Sequence, residues 1–292
     1  MPGEGFLLVD KPGGWTSHDV VAKTRRLAAT KKVGHAGTLD PMATGLLVLG
    51  LGRATRLLRF VQEAPKEYVA QARFGIATDS LDADGTETDR HPLPVTLQDV
   101  TGALDSFRGD IEQIPPMASA IKIGGQKLYE LARRGEDIER PPRSVHIFEL
   151  EVLGFAGGDY PLLELRVVCS SGTYIRTLAD DIARALGGRA HLVGLRRTRI
   201  GSLSVESAVT MDELVDDPAR LEAEVLSLAA GLADLGHHTV DDDLGRRISH
   251  GSVLTPAELP IERPTAVLDG DGNLLAVYAL RGAVVRPEVV LA

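Results

Sequence analysis

Three side chains in this sequence are suited to work on an electron-poor carbon. The first is Asp40, a lone carboxylate at the hinge of GHAGTLDPMATGLLVLG (residues 34–50). It is locked between Leu39 and Pro41, with His35 five residues upstream and no second acid nearby. The second is Tyr68, an aromatic within KEYVAQARFG, and the third is Arg176 in CSSGTYIRTLADD, two residues after Tyr174. On an extended segment, residues two apart share a side, which predicts that Tyr174 and Arg176 face the same way. An arginine facing a carboxylate lowers its pKa and keeps it ionised at neutral pH. It also fixes the acid's orientation through a bidentate hydrogen bond. A lone aspartate so held is suited to nucleophilic or electrostatic work. The same residues equally describe a buried pair that only supports the fold, and both readings stand at this level.

Other chemistries find little support. No P-loop is present, and GLGRAT puts Thr55 where a dinucleotide fingerprint needs its third glycine. Neither GxSxG nor HExxH occurs, and His237–His238 reads as a solvated linker pair. ATDSLDADGTETD looks briefly like a calcium loop, but the twelfth position counted from Ser80 is His91 instead of glutamate, so a polar loop is expected. The single cysteine, Cys169, excludes an intramolecular disulfide, and no Cys/His cluster has zinc spacing. These features predict a reducing cytoplasm and no structural metal.

The elements that must carry these residues are partly legible. GFLLVDKPGGWTS predicts a short strand, a Pro-Gly-Gly turn and a helix capped by Thr16 or Ser17, with Val20, Val21, Leu27 and Ala28 at helical spacing. In KEYVAQARFG, Tyr68, Ala70, Ala72 and Phe74 alternate, which predicts a strand. Thr96 with Asp99, and Thr210 with Glu213, are capping boxes that open helices. A strand to Cys169 should be followed by a Ser-Ser-Gly turn and a helix through Leu178, Ile182 and Leu186, closed by Gly187 or Gly188. Residues 111–145 differ in texture, with two Pro-Pro pairs, a Gly-Gly and basic residues around one short helix from Leu128 to Arg134. That stretch reads as an arm or long surface loop. After about residue 236 the pattern becomes short strands, with a hairpin at Asp-Gly-Asp-Gly and a final strand in VVRPEVVLA, and a domain boundary is expected near residue 240.

The chain has 292 residues, 43% of them hydrophobic and 25% charged, ordinary soluble globular composition for one large domain with or without a small one. No stretch approaches the roughly 18 apolar residues of a membrane span. The N-terminus carries an acid and no basic region before its short apolar run, unlike a signal peptide. The net charge of −9 is uneven: residues 1–70 hold ten Lys/Arg against six acids, whereas residues 203–245 hold eleven acids against Arg220 alone. The early part is therefore free to meet an anion.

Several motifs carry a resemblance. GHAGTLDPMATGLL, KEYVA and CSSGTYIRTLADDIARALGGRAHLVGLRRTRIG are similar to the bacterial tRNA pseudouridine-55 synthases, the TruB family, as are LLVDKPGGWTSHDVV and IPPMASAIKIGGQKLYELARRG. The similarity covers most of residues 5–202 in the family's order. It implies an α+β pseudouridine synthase fold, a large mixed, mostly antiparallel sheet flanked by helices. A catalytic domain over residues 1–240 would include a thumb-like RNA-binding insertion at about 111–145, and residues 241–292 would form a small β-rich PUA-like domain. The implied activity is isomerisation of uridine 55 in the TΨC loop of tRNA, with no cofactor and no metal.

By motif, Asp40 would be the catalytic aspartate, Tyr68 would stack on the target base, and Arg176 would pair with Asp40. Tyr174 and Leu195 would line the pocket, and His35 would help hold the opened T loop. Lys11 and Pro12 would support the pocket structurally. Lys122, Lys127, Arg133 and Arg134 on the arm, and Arg189, Arg196, Arg197 and Arg199 on one segment, are candidate phosphate contacts. Ala118 stands where related sequences often have tyrosine, which departs from the family pattern. The implied partner is tRNA, touched at the T-arm and acceptor stem, with a monomeric cytoplasmic protein needing no membrane or protein partner. Two rival readings are a guide-RNA-dependent pseudouridine synthase and a non-catalytic tRNA chaperone; the second gives Asp40 and Arg176 no reason to face each other.

Overall fold

The computed structural model describes residues 3–117, 122–123, 126–127, 134, 136 and 138–291. The chain is α+β, with a large mixed sheet and a β-rich C-terminal region. It divides into two compact units, one of residues 1–41, 45–64 and 199–292, the other of residues 42–44 and 65–198.

In the first unit the strand Gly5–Lys11 is apolar along nearly its whole length, and Phe6, Leu7 and Val9 are fully buried. A strand covered on both faces reads as a continuous hydrophobic run instead of an alternation. It pairs antiparallel with Thr44–Leu51, Phe6 opposite Gly50, and parallel with Val209–Thr210. The short strand Val33–His35 lies antiparallel to Thr44–Leu51, with His35 opposite Leu49. Between Lys11 and Val33 runs the helix Ser17–Leu27, whose cap is Thr16: Asp19 N–H donates to Thr16 Oγ1 at 3.1 Å, and Thr16 N–H donates back to Asp19 Oδ2 at 2.9 Å. Its buried stripe is Ser17, Val20, Val21 and Thr24.

The C-terminal four-stranded sheet runs His237–Thr239, Thr265–Leu268, Leu274–Arg281 and Val284–Val290 in that order, parallel in its first pair and antiparallel afterwards. The expected hairpin is present, closed by Asp269, whose N–H donates to Asn273 O and whose Oδ1 accepts from Asn273 N–H at 2.8 Å. A helix that the reading of short strands missed, Asp242–Ser249, is capped by Asp241, which accepts from Leu244 N–H at 2.8 Å. It is strongly charged, and it anchors by little more than Gly245 and Ile248.

In the second unit the strands Gly109–Gln113, Arg143–Ala156, Leu162–Cys169 and Lys66–Phe74 form consecutive antiparallel neighbours, and Ala190–Ile200 follows beside Lys66–Phe74. The predicted alternation holds: Tyr68, Ala70, Ala72 and Phe74 are all buried. The expected arm is rooted in paired backbone, because Arg143 lies opposite Gln113 and Val145 opposite Ile111. Of the helix expected from Leu128 to Arg134, residues 128–133 lie outside the described residues, as does Ala118. The helix Ile175–Ala185 ends as the sequence predicts. Gly188 N–H reaches Ala183 O, Gly187 N–H reaches Arg184 O, and Gly187 takes the positive φ of 87° that this closure requires. Among the described residues, no helix is long and apolar enough to cross a membrane.

Candidate active site

The turn that carries Asp40 is fixed on both sides of the acid. On its N-terminal side, Leu39 N–H donates to Ser17 Oγ at 2.9 Å and the Ser17 hydroxyl donates back to Leu39 O at 3.2 Å. On its C-terminal side, Pro41 O accepts from Lys11 Nζ at 3.2 Å and from Gly14 N–H at 2.9 Å. Lys11 is fully buried, and its ammonium also donates to Pro12 O at 2.9 Å and Trp15 O at 2.6 Å. A buried ammonium is costly unless its protons are accepted, and here three backbone carbonyls do so. The Lys-Pro-Gly-Gly turn and the Asp-Pro turn are thus held together by one cation, while the start of the Ser17–Leu27 helix holds Leu39. Asp40 itself is half-buried. His35 packs edge-to-face with His18, with ring centroids 5.7 Å apart.

In the second unit, Arg176 is 4% exposed. Its Nη1 donates to Ser80 O at 2.7 Å and pairs with Asp82 Oδ2 at 3.1 Å. Asp82 is 4% exposed and its other oxygen is occupied as well, accepting from the Ser80 hydroxyl at 2.5 Å and from Asp84 N–H at 3.2 Å. The loop carrying it is docked by Leu192 N–H, which donates to Leu81 O at 3.0 Å, and Leu81 adopts a positive φ of 63°. The acidic loop expected to be merely polar therefore turns one of its acids inward to an arginine 94 positions later.

Arg176 also sits differently from the expectation of an extended segment. Tyr174 is the residue before the helix and Arg176 lies in its first turn, so alternation does not relate them. Tyr174 is instead held by Gln113, which is 1% exposed: Tyr174 N–H donates to Gln113 Oε1 at 3.0 Å, and Gln113 Nε2 donates to Tyr174 O at 3.2 Å. The Gln113 amide thus clamps the backbone of the residue that enters the helix, which has no side-chain cap of its own. Tyr68 and Leu195, each 9% exposed, lie on neighbouring strands.

The candidate phosphate contacts separate into distinct groups. Arg197 is 1% exposed, among the largest fully buried side chains, a placement that suits interior support and not a grip on a solvent-borne phosphate. Arg189 is spent on Asp180, with contacts of 2.8 and 3.1 Å, and the same carboxylate takes Arg184 Nε at 2.8 Å. Arg196 is half-buried and Arg199 exposed. Arg134 pairs with Glu136 at 2.7 Å, and Arg133 lies outside the described residues. The backbone sets Lys122 opposite Lys127 in a two-residue antiparallel ladder.

Lys11 and Ser17 hold the Asp40 turn in the first unit, and Asp82 and Gln113 hold Arg176 and Tyr174 in the second; of these supporting roles the motifs point only to that of Lys11. Cys169 offers no competing nucleophile, since burial pushes its thiol up to about 11 and only a thiolate attacks. Among the described residues no group of three or more His, Cys, Asp or Glu is arranged to hold a metal.

The chain thus carries a carboxylate on a doubly anchored turn and, elsewhere in an α+β fold, a buried aromatic and a fixed arginine. Residues 25–175 match the TruB family pseudouridylate synthase N-terminal domain, and residues 176–232 match the tRNA pseudouridylate synthase B C-terminal domain. The tRNA pseudouridine synthase B of Thermobifida fusca is 43% identical over 99% of both chains. That of Symbiobacterium thermophilum is 47% identical, covering 85% of this chain and 82% of its own. Among solved structures, a Cbf5-Nop10-Gar1 complex matches with a TM-score of 0.76 at 27% identity, covering 98% of this chain and 84% of that one. The chain belongs to the TruB family of pseudouridylate synthases.

Proposed function

We propose that this protein isomerises uridine 55 in the TΨC loop of tRNA to pseudouridine, with Asp40 as the catalytic nucleophile. Its relatives named tRNA pseudouridine synthase B support tRNA as the substrate. The observation that carries the assignment of Asp40 is the double anchoring of its turn, through Ser17 on one side and Lys11 with Gly14 on the other. A group that must meet a flipped nucleotide in one geometry needs that rigidity.

Chemistry on a base requires taking it out of the stack, at a cost of a few kcal/mol. Stacking on an aromatic face such as Tyr68 returns about 1–3 kcal/mol. Breaking the N1–C1′ bond leaves C1′ electron-poor, which an ionised carboxylate meets directly. The Asp40 carboxylate bonds to C1′ as N1 departs, the freed uracil turns, C5 attacks C1′ and displaces the carboxylate, the C5 proton leaves and N1 gains one, so the product is an isomer of the substrate and Asp40 is regenerated. Tyr68 is assigned to assist that proton removal, and Leu195, on the neighbouring strand, is assigned as an apolar wall for the turning ring. Arg176, held by Asp82, is the guanidinium we assign to keeping the Asp40 carboxylate ionised. Tyr174 borders the pocket, and His35 contacts the opened loop. Arg196, Lys122 and Lys127 are assigned to the RNA backbone at the T-arm. No cofactor and no protein partner enters the scheme.

The test is pseudouridine mapping in an unmodified tRNA transcript incubated with the purified chain alone. Wild type should convert position 55, and Asp40→Asn should bind the transcript yet form no pseudouridine. Substantial turnover by that variant would sink the nucleophile assignment. A requirement for a guide RNA or a second protein would favour the Cbf5-like mode of action.

A further inference from the structure

The helix Ser17–Leu27 presents its solvent face as a shallow cavity of about 340 Å³, lined by Gly14, Trp15, Asp19, Ala22, Lys23 and Arg26. On a helix, positions 19, 22, 23 and 26 fall on one side, opposite the buried stripe of Ser17, Val20, Val21 and Thr24. Trp15, half-buried, precedes the Thr16 cap and lines the same depression.

The charges in this cavity are unusual for this protein. Many of its arginines are spent on carboxylates, among them Arg53, Arg59, Arg90, Arg108, Arg166, Arg184, Arg189 and Arg220. Among the described residues, no ion pair or side-chain hydrogen bond engages Lys23 or Arg26, although the two lie three apart on one face. The acid in the cavity, Asp19, is occupied by the cap, accepting from Thr16 N–H at 2.9 Å and the Thr16 hydroxyl at 2.6 Å. These contacts hold its carboxyl below the usual range, so it stays ionised and the cavity's balance is two cations against one anion.

An indole beside two uncommitted cations is the recognition chemistry of a nucleotide: the base stacks on the ring and the phosphate meets the cations. The position fits as well. The Lys11 ammonium donates to Trp15 O at 2.6 Å and to Pro41 O at 3.2 Å, so one buried side chain ties this cavity to the turn bearing Asp40. We propose that the Trp15–Lys23–Arg26 cavity is a second nucleotide subsite, which stacks one unpaired base of the substrate RNA, other than the reacting uridine, and holds its phosphate. This rests on the reading of the protein as an enzyme acting on RNA, and it adds a residue-level contact outside the pocket assigned above.

Trp15 is the only tryptophan in the chain, so intrinsic emission at indole wavelengths reports on this cavity alone. Titrating the full-length protein with an unmodified T-arm stem–loop should quench that emission saturably, and a fully paired duplex of equal length should not. Trp15→Leu should weaken stem–loop binding about 5- to 150-fold, with Trp15→Phe recovering much of it. Lys23→Gln with Arg26→Gln should flatten the slope of log affinity against log salt by about 1 to 2. Circular dichroism melts of each variant separate these effects from misfolding.

Unchanged emission at saturating stem–loop, with binding confirmed by gel shift, would overturn the subsite. Equal quenching by the duplex would overturn the stacking. A well-folded Trp15→Leu protein with wild-type affinity would do the same. Pseudouridine mapping keeps this proposal distinct from the functional one: conversion without quenching refutes the subsite alone, whereas quenching without conversion refutes the catalytic reading alone.

Discussion

Asp82 and Lys11 are the two residues whose loss should matter most for their size. The Arg176–Asp82 pair is buried on both sides, each side chain about 5% exposed. Removing one charge of such a pair leaves the other uncompensated at a cost of about 3 kcal/mol or more. Asp82→Asn should therefore lower the melting temperature by several degrees and reduce pseudouridine formation, because Arg176 keeps the Ser80 carbonyl but loses the charged partner of its Nη1. Equal melting temperature and rate in the variant would remove Asp82 from the site. Arg176→Lys should lose most activity too, since a point charge cannot reproduce a planar fork. Lys11→Met keeps the volume but removes the ammonium that ties Pro12 O and Trp15 O to Pro41 O, leaving the Pro41 carbonyl only its Gly14 N–H donor. Its expected signature is a lower melting temperature together with lost turnover, measured by thermal unfolding and by product mapping.

Elements were legible wherever the signal is local. The caps at Thr16, Thr96 and Thr210 each depend on an acid three residues on, and all three form. The Gly187 closure and the alternation through Tyr68 are likewise written within a few residues. What escaped depends on distance: Asp82 meets Arg176 94 positions away, and the Tyr174 backbone is held by Gln113 61 positions away. The helix Asp242–Ser249 escaped because its apolar face is narrow, although Asp241 is a good cap. The Ile175–Ala185 helix also carries a cost that sequence does not reveal. Asp181 is half-buried beside Asp180, and burial together with that neighbour pushes its carboxyl up to about 6. The folded protein then binds more protons than the unfolded chain between about pH 4 and 6, so stability falls as pH rises through that window. The penalty is fully present at neutrality. Discounted for partial exposure, Asp181→Asn should stabilise the protein by about 1–2 kcal/mol at pH 7.5 and by almost nothing near pH 3.5. Paired thermal melts at the two pH values measure this, and an equal gain at both would refute the titration.

At the scale of the molecule, a chain of net charge −9 must bind a polyanion with few cations to spare. Many arginines are neutralised internally, and the cations we assign to phosphates are Lys23, Arg26, Arg196, Arg199, Lys122 and Lys127. If about three to five of these engage, log affinity for a stem–loop should fall against log salt with a slope of roughly −2 to −4, since each phosphate contributes about −0.7 for single strands. The acidic run from 203 to 245, with eleven acids against one arginine, sets the opposite field. It contributes no assigned contact, so its effect should fall on the rate of encounter and not on the bound state. Replacing Asp212, Asp216 and Asp217 with asparagine should accelerate association in low salt by a few fold while leaving dissociation unchanged. The gain should vanish near 1 M salt, where the screening length shrinks to about 3 Å. Stopped-flow mixing at the two ionic strengths separates the cases. A change confined to dissociation would mean that the acidic run touches the RNA directly.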